Sequence, residues 1–382
     1  MKKSRGIKNL SIMVAMAVGL SLTGCGGSQV QTGQGGNASE QQGKAAEDAS
    51  GQPGEAAGDS SGQQGAAAKE AGNQGMPGEG SKDKIIIKAA VTATDEGAHS
   101  LALFKMKEAI EDYTGGAVDF QVYTNGQLGG EREIVEGVSI GTIECGVVST
   151  GPLPNFVPDF MVLDLPYLIK DRTKAFAIMD GEIGQSMLGK LETIGIKGMG
   201  FWDNGYRYIT SSKPVVHPED IKGMKIRTME NEVHMNTFKL LGATPTPMAI
   251  SEFLTAVRQG TVDGHENVMV SIDMNKVYEV NPCISLTKHF YSAAPFLVNA
   301  DFYQSLPDDI RDAFDRAQKE AMEWEREYCD NLDAELIEKM EGLGATFYEV
   351  DIDEWARATE GVYDMYKDKI DQKLIDAFRN AD

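Results

Sequence analysis

Two consecutive α/β halves with a ligand cleft between them are what this sequence predicts. Three observations carry that expectation. Strand-like apolar runs alternate with helix-spaced ones between about Lys84 and Trp202. The same alternation starts again after Gly205. The chain then passes through further strands into a charged helical stretch from Pro307 to about Met340, long enough to brace both halves.

The elements follow in chain order. Residues 1–24 carry Lys2, Lys3, Arg5 and Lys8, then a mostly apolar run from Leu10 to Leu22. That run is too short for a membrane span, which needs about 20 residues, and reads as an export signal. It ends Leu22-Thr23-Gly24-Cys25. Residues 26–82 are Gly, Gln, Ala, Ser and Glu with no aromatic. Such a segment buries too little apolar surface to offset ordering entropy and reads as a tether reaching about 40 Å.

KIIIKAAV (84–91) is a buried strand, and Leu103, Met106, Ile110 and Tyr113 mark a helix face. Val118, Phe120 and Val122 alternate as a strand; Glu131–Ile140 is a helix and 144–149 a strand. This alternation predicts a largely parallel sheet. A proline-rich irregular stretch, a helix over about 174–191 and a strand over 196–202 complete the first half. In the second half, 207–210 and 224–228 are strands, 232–241 and 251–259 helices, and 264–266 begins a strand. Strands at 284–287 and 295–298 carry the chain back, and 355–378 is helical. Residues 83–204 with about 293–332 are assigned to the first lobe, and 205–292 with about 333–382 to the second.

Charge limits the partners. Acids and bases balance within residues 1–82, so residues 83–382 carry the whole net charge of −22. Nucleic-acid binding needs a basic footprint and is disfavoured, as is electrostatic adhesion to an anionic membrane. Cys145, Cys283 and Cys329 have no metal-like spacing and read as buried thiols, a single disulfide among them being the alternative. The scattered histidines form no HxH or HExxH pattern, so neither a metal nor another cofactor is expected.

Ligands of open α/β sheets sit beyond the carboxyl ends of strands. Arg227 ends the strand in IKGMKIRTMEN, and its planar fork suits a carboxylate. Asn267 ends a second strand, in QGTVDGHEN, and offers an amide NH2. On pattern alone, a surface arginine paired with a nearby acid and an amide in a turn or cap are the more ordinary readings of the two. From the first half, Thr92 and Thr94 after the first strand, and Ser149 and Thr150 after the third, are the natural contacts. Glu230 and Asn231 follow the arginine, and Asn231 also suits a helix N-cap. Glu131 and Arg132 fit an internal ion pair better than ligand contact.

Several segments resemble one family in order. They are GQLGGEREIVEGVSIGTIECGVV (126–148), PNFVPDFMVLDLPYLI (154–169), NGYRYIT (204–210), IKGMKIRTMEN, LGATPTPMAISEF, QGTVDGHEN and KVYEV (276–280). Together they resemble the solute-binding proteins of tripartite ATP-independent periplasmic (TRAP) transporters, of the DctP type. The resemblance implies a two-lobed, periplasmic-binding-protein-like α/β fold with a long helix spanning both lobes, closing on an organic acid. It also implies partners, the small and large TRAP membrane subunits. It gives Arg227 the carboxylate-clamping role, Arg207 that of a second arginine near the ligand, and Asn267 completion of the anion site. Trp202 and Ile250 fall where the family lines its cleft. LTGCGG resembles a lipobox, which implies acylation of Cys25 and anchorage outside the cell membrane. Two rival functions stay open: a binding protein feeding a sensor kinase, and a secreted enzyme on acidic sugars with Asp263 and Glu266 as its nearest acids.

Overall fold

The structure is a computed structural model, and it describes residues 84–380. The signal segment, Cys25 and the tether lie outside the described residues. Ten strands are present: β1 (Ile85–Ala90), β2 (Val118–Tyr123), β3 (Cys145–Val147), β4 (Ile196–Ser211), β5 (Lys225–Thr228), β6 (Thr244–Pro247), β7 (Gly264–Val268), β8 (Cys283–Ser285), β9 (Tyr291–Asn299) and β10 (Thr346–Tyr348). They join in the order β2-β1-β3-β9-β4-β7-β5-β6, with β8 also on β4 and β10 on β8.

The expected parallel pairing is present at the flanks: β1 with β2 and β3, and β5 with β6 and β7. The centre differs. β4 pairs antiparallel with β9, β7 and β8. The two strands expected on either side of Gly205 are one continuous strand, β4. Up to Tyr206 its partner is β9; from Arg207 it pairs with β7, and from Ile209 also with β8. The register slips between Asp203 and Gly205, where Gly205 adopts φ +103°, a conformation that favours glycine. The chain therefore passes from one lobe to the other inside a strand.

Both faces of each lobe are covered, which accounts for strands that are apolar without alternation. In the first lobe, the helices Ala98–Tyr113 and Asp308–Cys329 pack Leu103, Met106 and Phe314 against Phe120 and Phe296. The opposite face buries Ile134, Val135, Phe160 and Phe201. In the second lobe, Phe253, Ile272, Ile284 and Met340 form one core, and Ile226, Phe238, Phe290 and Trp355 another.

Four expectations change. The helix read over 174–191 is two, Arg172–Met179 and Glu182–Gly189, separated at Asp180-Gly181. The long helix is likewise two, Asp308–Cys329 on the first lobe and Leu332–Gly342 beside the second-lobe helix Met269–Met274. At that break, Arg172 Nη1 donates to the Cys329 carbonyl oxygen (3.1 Å), taking up an acceptor that the helix end leaves. TPTP, not read as a strand, is β6. It is an edge strand, where proline's missing N–H costs no ladder bond. Residues 361–379, expected in the second lobe, insert Val362, Tyr366, Ile375 and Phe378 among Phe160, Leu163 and Ala175 of the first. Cys145, Cys283 and Cys329 are separate buried thiols.

Candidate functional site

A cavity of about 460 Å³ lies between the lobes. Its second-lobe wall is built on β5, β7 and the end of β6. Arg227, on β5, sits in register with Thr246 of β6 and His265 of β7. It is 3% exposed. Nε and Nη2 both donate to the Met248 carbonyl oxygen, at 2.9 and 2.7 Å, and Nη1 is buried without a partner among the described residues. The edge strand β6 delivers that carbonyl, because Met248 directly follows Pro247. Burial pulls the Arg227 pKa down to about 10, so the group stays charged at neutral pH. Neighbouring His265 adds no second positive charge beside it. Burial, then the Arg227 charge, pushes that imidazole down to about 3.

Arg207 also lines the cavity but is already neutralised. Its Nε and Nη2 grip the Glu266 carboxylate at 2.5 and 2.9 Å, with both residues wholly buried. Burial alone would raise Glu266, but Arg207 and a hydrogen bond with His289 hold it well below the usual carboxylate range. This wall thus contains two buried guanidiniums and one buried carboxylate. Asn267 lines the cavity with its amide NH2 on Ser271 Oγ (2.8 Å) and its oxygen accepting from the Val268 N–H.

The first-lobe wall carries Thr92, Thr94, Ser149 and the turn Gly129-Gly130-Glu131. Glu131 opens the helix Glu131–Ile140. One of its oxygens accepts from the Ser149 N–H (2.8 Å) and the other from Ser149 Oγ (2.7 Å). The expected Glu131–Arg132 pair is therefore absent. Arg132 instead bonds Glu136, one helical turn on, and reaches across to Glu230 of the second lobe at 3.0 Å. The i,i+4 rule applied to Arg132 and Glu136 already left Glu131 unaccounted for in the sequence. The acceptor role of Met248 had no sequence signal, since every residue has a carbonyl.

Of the predicted contacts, Arg227, Asn267, Arg207, Glu230, Ile250, Ser149 and Thr92 come together around this cavity, with Glu230 tied to Arg132. Three do not. Trp202 turns into the first-lobe core, stacked on Phe296 at 5.7 Å, and is 0% exposed. Asn231 caps the helix Glu232–Leu240 through the His234 N–H and donates to Gly151 O and Asp164 Oδ2, wholly buried. Thr150 is buried with its N–H on the Ala293 carbonyl oxygen, one residue beyond the Ser149 that faces the cavity. One step along this loop after β3 separates lining from core.

Comparison with known proteins agrees with this architecture. Residues 89–369 match the bacterial extracellular solute-binding protein family 7, DctP. The C4-dicarboxylate-binding periplasmic protein DctP of Rhodobacter capsulatus is 32% identical over 306 residues, 78% of this chain and 91% of that protein. A Bordetella TRAP periplasmic solute-binding protein, with density interpreted as pantoate, superposes with a TM-score of 0.76 at 37% identity, covering 78% of this chain and all of that one. One from Polaromonas sp. JS666, bound to D-erythronate, gives 0.75 at 34% identity over 78% of this chain and 98% of its own. The chain belongs to bacterial extracellular solute-binding protein family 7, the DctP family, whose solved relatives are TRAP periplasmic solute-binding proteins.

Proposed function

We propose that this protein captures an organic acid by its carboxylate and delivers it to a TRAP-type membrane permease, while held outside the cell membrane by a lipid on Cys25. The observation that carries the capture is Arg227, a charged guanidinium in the cavity wall whose buried Nη1 has no partner and whose other contacts go to one neutral carbonyl. A buried charge is costly until an opposite charge meets it. By their names the relatives differ in the acid: one is C4-dicarboxylate-binding, one has density interpreted as pantoate, and one is bound to D-erythronate. Hydrogen bonds that cross between lobes, Arg132 to Glu230 and Asn155 to the Glu230 carbonyl oxygen (2.6 Å), support closure around the ligand. A binding role is also supported by the acids once considered for catalysis. Asp263 accepts from the Lys225 N–H, and Glu266 is bound to Arg207.

The tether and lipobox support the anchor. Among the described residues no helix is long and apolar enough to cross a membrane. The tests are separate. A thermal-shift screen of organic acids reads capture, because a ligand binding only the folded state raises apparent stability. A fatty-acid label that survives Cys25→Ala rules out the anchor. Uptake of the acid that persists after the permease is deleted rules out delivery.

A further inference from the structure

The first-lobe wall bears on a question that the arginine leaves open: what the far end of the ligand is. The charged groups around the cavity resolve into pairs and three remainders, of which Glu133 is exposed. Arg207 is bonded to Glu266, and Arg132 to Glu136 and Glu230. Arg227 is left on one side. Glu131 is left on the other, hydrogen-bonded only to neutral Ser149. Its carboxylate is near enough to Arg227 to favour the charged guanidinium. The N-terminus of the helix Glu131–Ile140 would otherwise attract an anion, but both acids of its first turn, Glu131 and Glu133, already stand there.

An ionised carboxylate only accepts hydrogen bonds. Each Glu131 oxygen takes one from Ser149 and keeps a further lone pair for a donor. From this arrangement we infer that the cavity selects a hydroxylated monocarboxylic acid of the aldonate kind over a dicarboxylate of the same carbon chain. The inference rests on Arg227 taking the ligand's carboxylate. The acid's hydroxyls donate to Glu131, and the neutral lining groups Thr92, Ser149 and Asn275 surround the remaining oxygens. A second carboxylate placed there meets a like charge, which disfavours both ionised forms.

The experiment uses matched acids that differ only in the terminal carbon: erythronate with meso-tartrate, gluconate with glucarate, and galactonate with galactarate. Calorimetry on the intact protein, on Glu131→Gln and on Arg227→Ala gives the affinities. In the wild type the monoacid of every pair that binds is expected to win by at least about tenfold. In Glu131→Gln the ratio narrows, because the diacid gains while the monoacid loses. Arg227→Ala loses both. A diacid that binds as tightly as its monoacid, or a ratio unchanged in Glu131→Gln, overturns the selectivity and leaves carboxylate capture standing. If no acid in the panel binds, the aldonate class is wrong. If in addition Arg227→Ala leaves binding of a simple acid such as succinate or pyruvate unaltered, capture by Arg227 is wrong as well.

Discussion

Arg207 and Arg227 stand on strands either side of β7, both at most 3% exposed, and both line the same cavity. One is clamped by Glu266 through two hydrogen bonds; the other has a carbonyl oxygen and a nitrogen without a partner. The difference separates a charge that is paired internally from one that is not. Arg207 brought its counter-ion with it during folding. Arg227 is held in place by a neutral group, which in the proposed function leaves its counter-ion to come from outside. Burial stiffens both side chains, and only the completeness of their pairing distinguishes their jobs.

The contrast breaks most visibly at the paired arginine. Arg207→Ala leaves Glu266 as an uncompensated buried charge, and the expected loss is about 3–5 kcal/mol of folding stability. Urea unfolding of the variant measures it, and a midpoint matching the wild type would mean that the pair is not structural. Arg227→Ala is the converse. Binding of the acid is expected to fall by about a hundredfold or more, from two lost charge-assisted hydrogen bonds. The unfolding midpoint of the ligand-free protein stays put, since no internal ion pair is broken. If calorimetry shows retained affinity, or the variant unfolds early, the two arginines are not different in kind.

Glu325 sharpens the comparison as the mirror case, a buried acid with no cation bonded to it. It lies beside the crossover, accepting from the Asp203 N–H (2.9 Å) and from Cys329 Sγ (3.2 Å). Burial, with the Asp203 charge adding to it, raises its pKa to about 8. His99, 3.6 Å away, is pushed by burial down to about 4 and is no counter-ion near neutrality. The sign follows from linkage. Below the unfolded-chain value, about 4.3, both states hold the proton. Between that value and about 8 the unfolded chain has lost it while the folded one keeps it, so stability falls as pH rises. Comparing pH 6 with pH 8, Glu325→Gln is expected to remove about 2 kcal/mol of that decline. Unfolding curves at the two pH values check this, and identical pH slopes in both proteins would place the ionisation elsewhere.

The smallest effect belongs to the half-exposed pair Arg132–Glu230 at the cavity edge. Exposed pairs contribute little and are screened by salt. Glu230→Gln is expected to speed ligand release a few-fold in low salt and not at all at about 1 M. Stopped-flow release rates decide it. An equal change at both salt concentrations would show that Glu230 touches the ligand itself.

Much of the architecture was legible because local physics sets it. The helix Glu131–Ile140 and the strand around Ile226 follow from apolar spacing and glycine punctuation, and the DctP-like motifs pointed to the role proposed for Arg227. The cavity was legible only in part. From the chain alone, Ser149 and Thr150 were equal candidates, and Trp202 looked like lining. The loop leaving β3 puts Ser149 on the cavity, and the β4–β9 register puts Trp202 against Phe296. The pairing of Arg207 with Glu266 joins residues 59 apart in sequence, and the bond between Glu131 and Ser149 joins residues 18 apart. No local rule reaches that far. Local spacing and composition set the alternating elements, the excess of acids and an arginine of a type suited to a carboxylate. Tertiary structure alone decided which charges cancel one another, because cancellation depends on distances between strands and helices that meet only in the folded chain. Arg227 and Glu131 are left without an opposite charge bonded to them, on opposite walls of the cavity.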